Sequence, residues 1–579
     1  MRTCTVFTHL FNTNNDPKKV GEFSVDHLAF IDGPTGTSLT RGQVKKLALA
    51  FGYGITHHPL FRAKRGETVL IYSQNSLVWP IVLFGSVAAG LQCTLANNAY
   101  TPPELAHQYA DSGARIIMTS EDGVANVREM LKTLGLGADE ADKRIIIMAK
   151  GLDWAGGPIV KVKPEAASLI KVSDLLKLGV LSVEERFDEQ TANETVYLCY
   201  SSGTTGKPKG VESMHRNITA VVDAVKASLS EMNENDNMLG ILPFYHIYGA
   251  IKLLHFPFAT GTPVYIMPRF DPVDFCAYIE KYKITAALVV PPVLVVLARH
   301  PIVDKYDLST LNLLFSGAAP LGATLAKQVA SRLLENRKGK GYLNILQGYG
   351  LTETSPTSHL VPVPDGTRKI GSAGLLLPNL EARLVVDGEG DGLIDAKEGE
   401  PGELWMRGPT IMKGYLNRPD ATKDSITPDK WFKTGDIAIR DKDGFYWIVD
   451  RRKELIKYKG FQVPPAELES VLLTHPDVAD AAVIGVESAQ EATELPRAYI
   501  VPAKPDAVKT EIEKAKLAAS VQRWIQSKVA KHKYLRGGVV VIDVVPKSAA
   551  GKILRRELRE RAKQELGNRD PAEKAKAKL

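Results

Sequence analysis

Short apolar runs recur along the first two thirds of the chain, each ended by polar or glycine-containing stretches. "TVLIYS" at 68–73, "RIIMTS" at 115–120, "RIIIMA" at 144–149, "AALVVPP" at 286–292 and "NLLFSG" at 312–317 read as strands. Between them lie segments with helical spacing, such as "LGATLAKQVASRLLE" at 321–335. "WPIVLFGSVAAGL" at 79–91 is apolar enough for a core helix and too short to cross a membrane. This alternation, up to about residue 385, predicts an α/β fold with mainly parallel sheets. From about 370 to 450 the pattern changes to short strands with Gly and Asp turns, "EARLVVDGEGDG", "GELWMRG" and "GFYWIVD", which predicts antiparallel structure. The tail mixes "AAVIGV", "AYIVPA" and "GGVVVIDVV" with helical segments and reads as a separate α+β unit. The expected division is a domain over 1–450 and a second over 451–579.

Composition adds bounds. The 579 residues exceed a single ordinary domain, and 44% hydrophobic with 24% charged residues is ordinary globular usage. Cys4, Cys93, Cys199 and Cys276 are far apart with no CxxC pair, so neither a disulfide framework nor a zinc site is expected. The N-terminus has no basic segment followed by an apolar one, which argues against a secretory signal. The net charge of +7 is unevenly placed: from Arg451 onward there are 26 Lys and Arg against 17 Asp and Glu. These lysines alternate with Glu and Ala at helical spacing, so solvated helix faces explain them better than a nucleic-acid surface does. "DGEGDGLIDAKE", Asp387–Glu398, fits the spacing of a calcium loop. Strands rather than helices are expected on both sides, so it reads as an acidic hairpin connection.

The chemistry concentrates elsewhere. "YSSGTTGKPKGV" at 200–211 follows the apolar run "TVYLCY". Gly203 and Gly206 are too close for a Walker loop, and Pro208 follows Lys207. Glycines still let backbone N–H groups approach phosphate oxygens, hydroxyls add donors, and Lys209 adds charge. The stretch is an anion-site candidate. In order after it come "PFYHIYG" (243–249), "SGAAPLG" (316–322), "QGYGLTE" (347–353), "WFKTGD" (431–436), "DRRKELIKYKGFQV" (450–463) and "PKSAAGKILRREL" (546–558).

With these motifs the sequence, from about residue 45 onward, closely resembles the adenylate-forming superfamily of acyl-CoA synthetases, luciferases and peptide-synthetase adenylation domains. "PFYHIYG" and "IKYKGFQV" look most like the 4-coumarate–CoA ligase branch. The resemblance implies a large N-terminal domain of two α/β sheet subdomains and a small β-barrel-like one, followed by a small mobile α+β domain. It implies two steps: a carboxylate attacks the α-phosphate of ATP, giving acyl-AMP and pyrophosphate, and coenzyme A then takes the acyl group. The acid expected is aryl or medium-chain.

Each motif then acquires an expected role. Ser201, Ser202, Gly203, Thr204, Thr205 and Lys209 hold the outer phosphates. Glu353 ligates Mg²⁺, and Thr352 contacts the α-phosphate. Gln347, Gly348 and Tyr349 belong to the ATP/AMP site, with the adenine against Tyr349 and the "SGAAP" loop, while Asp436 and Arg451 hold the ribose. Lys552 is the catalytic cation at the α-phosphate. Lys453 matches the hinge about which the small domain turns, withdrawing Lys552 and presenting Lys457, Lys459, Gly460 and Gln462. Lys457 and Gln462 are expected to act at the adenylate, and Lys459, Gly460 and Arg269 at CoA. His246 lines the carboxylate end; Tyr248, Ala318, Gly348, Gly350, Pro356 and Thr357 line the acyl pocket, with Gly350 leaving it roomy. A luciferase-like adenylating monooxygenase and a non-catalytic nucleotide-binding relative are the alternatives. The terminal Ala577-Lys578-Leu579 resembles a peroxisomal signal, giving an expected peroxisomal location through an import receptor, or otherwise a cytoplasmic one.

Overall fold

The computed structural model describes residues 4–12, 16–201, 207–319, 321–336, 341–386, 392, 394–459, 461–488, 491, 493–548 and 551–567. Ser202, Gly203, Thr204, Thr205, Gly460, 387–391 of the acidic connection and the Ala577-Lys578-Leu579 terminus lie outside them.

Two large sheets carry the N-terminal part. One has eight strands and centres on Thr68–Tyr72, whose residues are all buried. Gln92–Ala96 and Ile116–Ser120 flank it in parallel, and Thr195–Ser201 pairs in parallel beyond Gln92–Ala96. The other has nine strands, with a parallel run through Asn344–Tyr349, Leu313–Ser316, Ala286–Val289, Met238–Gly240, Val264–Ile266 and Leu28–Asp32. Apolar strands bordered by helices fold this way because parallel sheets must be covered on both faces. The helix Val78–Ala88 is buried at every position, and one hydrophobic core runs from it through both sheets. Each large apolar side chain so buried stabilises the fold by about 1.5–3 kcal/mol.

The change of pattern near residue 370 marks a real change of architecture. Glu381–Val385, Gly402–Arg407, Phe432–Arg440 and Tyr446–Arg451 form a four-stranded antiparallel sheet. The acidic connection leaves the first of these strands and returns at Asp395, which bridges Val385 and pairs with Arg383 at 2.7 Å. The last strand runs one residue past the expected division, to Arg451.

The C-terminal part has its own core. Val478–Ser488, Thr493–Pro502 and Val539–Val541 form a mixed sheet, packed by the helices Pro465–Leu472 and Glu511–Gln526 around Val483, Ile500, Val521 and Ile525. A helix over Arg555–Gly567 is the last element among the described residues. Among the described residues, no helix is long and apolar enough to cross a membrane.

Candidate active site

The parts meet at a cleft of about 1430 Å³. Its first wall is the hydroxyl- and glycine-rich loop. Thr195–Ser201 leaves its sheet at Ser201, and the chain returns as Lys209–Met214, antiparallel, with Ser201 opposite Lys209. The loop is therefore the tip of a hairpin, not the strand-to-helix turn of a Walker loop. One end faces a carboxylate, and the other the tyrosine bound to that carboxylate. Ser201 Oγ donates to Glu353 Oε1 at 3.3 Å, and Tyr415 OH donates to the same oxygen at 2.9 Å. Lys209 Nζ stands 4.8 Å from the centre of the Tyr415 ring. Tyr415 lies in "KGYLNRP", where no motif marks it, and reaches the site because Gly414–Tyr415 pairs with Val211 and Glu212 at the sheet edge.

The second wall is the end of Asn344–Tyr349 and the turn after it. Tyr349 OH donates to Asp436 Oδ2 at 2.6 Å. Burial first, and the neighbouring carboxylate second, push this phenol well above its ordinary range, so it remains a donor. Strand register sets Asp436 opposite Arg451, and Arg451 Nε approaches Asp436 Oδ1 at 3.4 Å. That oxygen is buried and accepts no hydrogen bond among the described residues, an uncommon state for a buried carboxylate. Thr352 and Glu353 form a single helical turn on the cleft. Gln347 does not line the cleft; its side chain accepts from Leu321 N at 3.1 Å and braces the 316–322 loop instead. Glu403, which no motif singles out, also belongs here. It accepts from Gly435 N at 3.1 Å and from Arg452 at 2.7 Å, tying the turn before Asp436 to the segment after Arg451.

The third wall comes from the C-terminal part. Lys552 sits in a tight turn in which Ser548 N donates to Lys552 O at 2.8 Å and Lys552 N to Ser548 Oγ at 3.2 Å. The turn is packed on the large domain: a Cβ at Gly551 would stand 3.5 Å from Val290. Burial, then the Arg451 charge, brings the Lys552 amine down to about 8, with Asp436, Glu353 and Glu454 acting in the opposite sense. Lys552 therefore shares one electrostatic site with residues from three distant motifs. The hairpin of Ile456–Tyr458 and Phe461–Val463 sets Lys457 opposite Gln462, and both line the cleft with Lys453. In this arrangement Lys552 and the Lys457–Gln462 pair both border the cleft. Lys459 is turned away into a 2.8 Å pair with Glu491.

At the acyl end, His246 caps a short helix, its Nδ1 accepting from Tyr248 N at 3.2 Å. Burial, then the Lys552 charge, lowers His246 to about 4, so it is neutral at physiological pH. Tyr248 is buried, and its hydroxyl has no partner among the described residues. Ala318, Gly348, Gly350, Pro356 and Thr357 line the same end. Gly350 is not there to leave room for substrate: a Cβ would fall 1.7 Å from the Pro356 carbonyl oxygen, inside the protein. The glycine answers to a close backbone approach. Arg269 is exposed on the loop after Val264–Ile266 and does not line the cleft.

The architecture and cleft correspond to known proteins. The AMP-binding enzyme family matches residues 18–416, and the AMP-binding enzyme C-terminal domain matches 467–552. The chain belongs to the AMP-binding enzyme family. It is 37% identical over 512 residues to a probable 4-coumarate–CoA ligase of Dictyostelium discoideum, covering 86% of each. It is 35% identical over 551 residues to a 4-coumarate–CoA ligase of Narcissus pseudonarcissus, covering 94% of this chain and 92% of that one. Among solved structures, an anthranilate CoA ligase in complex with anthranoyl-AMP shares the fold with a TM-score of 0.81 at 24% identity, over 97% of this chain and 98% of that one. The o-succinylbenzoate CoA synthetase of Bacillus subtilis with its acyl-adenylate has a TM-score of 0.74 at 25% identity, over 96% and 98%. The protein is an AMP-forming acid–CoA ligase of the 4-coumarate–CoA ligase kind.

Proposed function

We propose that the chain activates an aryl or medium-chain carboxylic acid with ATP and passes the acyl group to coenzyme A. The observation that carries this reading is that Lys552, Arg451 and Glu353 line one cleft, with Asp436 just behind its wall against Arg451 and within the electrostatic reach of Lys552. A substrate carboxylate oxygen bonds the α-phosphorus, and pyrophosphate leaves with the electrons of the broken P–O bond. Lys552 stabilises the charge that builds there, more in the transition state than before it. Ser201 and Lys209, with the Ser202–Thr205 stretch, hold the departing phosphates. Asp436 Oδ1, without a donor of its own, fits a ribose hydroxyl, and Tyr349 presents a fixed ring edge to the base. Glu353 fits a magnesium ligand, because Oε2 has no donor among the described residues while Oε1 is held by Tyr415 and Ser201. The ion supplies positive charge to phosphate oxygens, and one carboxylate with phosphates is its usual setting.

In the second step the CoA sulfur attacks the acyl carbon, losing its proton, and AMP departs. Lys457 and Gln462 are the groups from the small domain that border the cleft where that carbon would sit. A division near Asp450, with a hinge at Arg451–Lys453, accounts for the two faces of the small domain. The test is pyrophosphate release over a panel of acids, with and without CoA. Release with thioester formation is expected; adenylation without a thioester would sink the ligase assignment for these acids.

A further inference from the structure

Next to the acyl end of the cleft lies a second, small cavity of about 20 Å³. Its lining is apolar, including Met238, Phe256, Leu288 and Leu360, with one exception, Lys252. This lysine is 4% exposed. Its Nζ lies 5.5 Å from the Phe256 ring centre, and no acid or hydrogen-bond acceptor faces it among the described residues. Burial alone pulls the amine down to about 7. Burying an amine without a partner costs free energy that packing does not return. Lys252 nevertheless stands one turn after Tyr248, where the chain changes from a helical turn to a π-helical segment, Ala250–His255. Such segments are rare and cluster at functional sites.

Cavity and cleft share one lining side chain, Phe315. Its ring lies over Gly348, where a Cβ would stand 2.7 Å away. At this size the cavity holds at most a water molecule. With Phe315 turned aside, it becomes the far end of the acyl pocket.

We propose that Lys252 binds a second carboxylate at the distal end of the substrate acid, so that the acids taken best carry an anionic group at both ends. The proposal rests on the acid–CoA ligase reading and narrows its substrate class. A plain apolar tail leaves the amine unpaired. A distal hydroxyl supplies one hydrogen bond and no charge. A carboxylate supplies both, and the enclosed, apolar surroundings make that pairing strong.

The test uses the full chain. Pyrophosphate release and thioester formation are measured over saturated dicarboxylic acids from adipic to dodecanedioic, each against the monocarboxylic acid of equal length. Cinnamic, 4-hydroxycinnamic and 4-carboxycinnamic acids form an aryl series. The wild type is expected to favour the distal carboxylate at one length or in the aryl series by ~10-fold or more in kcat/KM, and Lys252→Met to reverse that ratio by on the order of 10²-fold. The variant removes a buried unpaired amine and keeps its volume, so its Tm is expected to hold or rise. Should it fail to fold, the wild type still decides: the favoured dicarboxylic acid must raise Tm more than its monocarboxylic counterpart. Preference for the plain acid throughout, or an unchanged ratio in Lys252→Met, overturns the role of Lys252 while leaving the ligase reading intact. No pyrophosphate from any acid would overturn both.

Discussion

Lys552 is the residue on which the adenylation chemistry turns. It is an ammonium that the large domain buries and that Arg451 pushes toward deprotonation. Lys552→Ala is expected to lower adenylation by ~10²–10³-fold and to spare thioester formation from supplied acyl-AMP. Single-turnover measurement of each half-reaction checks this, and equal loss in both would contradict it. The lowered pKa also gives a pH signature. The cation is the active form, so kcat/KM for adenylation is expected to fall on the alkaline side, through an apparent pKa near 8, which a pH–rate profile reads. The stability sign runs the other way. A lysine whose folded pKa lies below its unfolded value is more protonated in the unfolded chain between the two. Its contribution therefore disfavours folding below about 8 and fades as pH rises toward the unfolded value.

At the scale of elements, the strands and helices were legible because buried parallel strands read as unbroken apolar runs. Thr68–Tyr72, Ile116–Ser120, Ile145–Met148 and Leu313–Ser316 fall within one residue or so of the runs that announce them. The motifs placed Glu353, Asp436, Arg451 and Lys552 in the site. Tyr415 and Glu403 were not legible: one arrives through an edge pairing of two residues, the other through hydrogen bonds across a sheet. Spacing along a chain carries no record of such pairings. Gln347 and Gly350 sit inside a recognisable motif, yet the direction of the Gln347 side chain and the backbone crowding at Gly350 depend on tertiary contacts that the motif does not encode. Gly350 yields a prediction at this scale. A methyl group there meets the Pro356 carbonyl rather than the cleft. Gly350→Ala is expected to cost roughly 3 kcal/mol or more by displacing that backbone, seen as a lowered Tm, and to reduce turnover of small and large acids alike. A selective loss of large acids would instead mean that the position borders the acyl pocket directly.

At the scale of the molecule, Lys552 belongs to the site only while the small domain is docked, and a contact outside the cleft helps to hold that docking. Arg299 ends the helix Pro291–Arg299 in the large domain. Its guanidinium donates to Leu473 O and to Val478 O, both at 2.6 Å. Leu473 is the C-cap of Pro465–Leu472, so its carbonyl lies at the negative end of that helix, where a cation is favoured. Val478 opens the central hairpin of the small domain. The pair of bonds therefore grips both sides of one turn, and any rotation that carries Lys552 away from Asp436 must break them. Arg299→Ala leaves those carbonyls to water and removes nothing from the cleft. Its expected effect is a loss of about 3- to 10-fold in adenylation, matching one or two charge-assisted hydrogen bonds partly replaced by solvent. Thioester formation from supplied acyl-AMP should be unchanged or faster, because that step does not need Lys552 in place. The same half-reactions that test Lys552→Ala separate the two effects: the alkaline limb near pH 8 should persist in Arg299→Ala and vanish in Lys552→Ala. If Arg299→Ala slowed both half-reactions equally, the contact would be a general brace of the fold rather than a latch on one orientation.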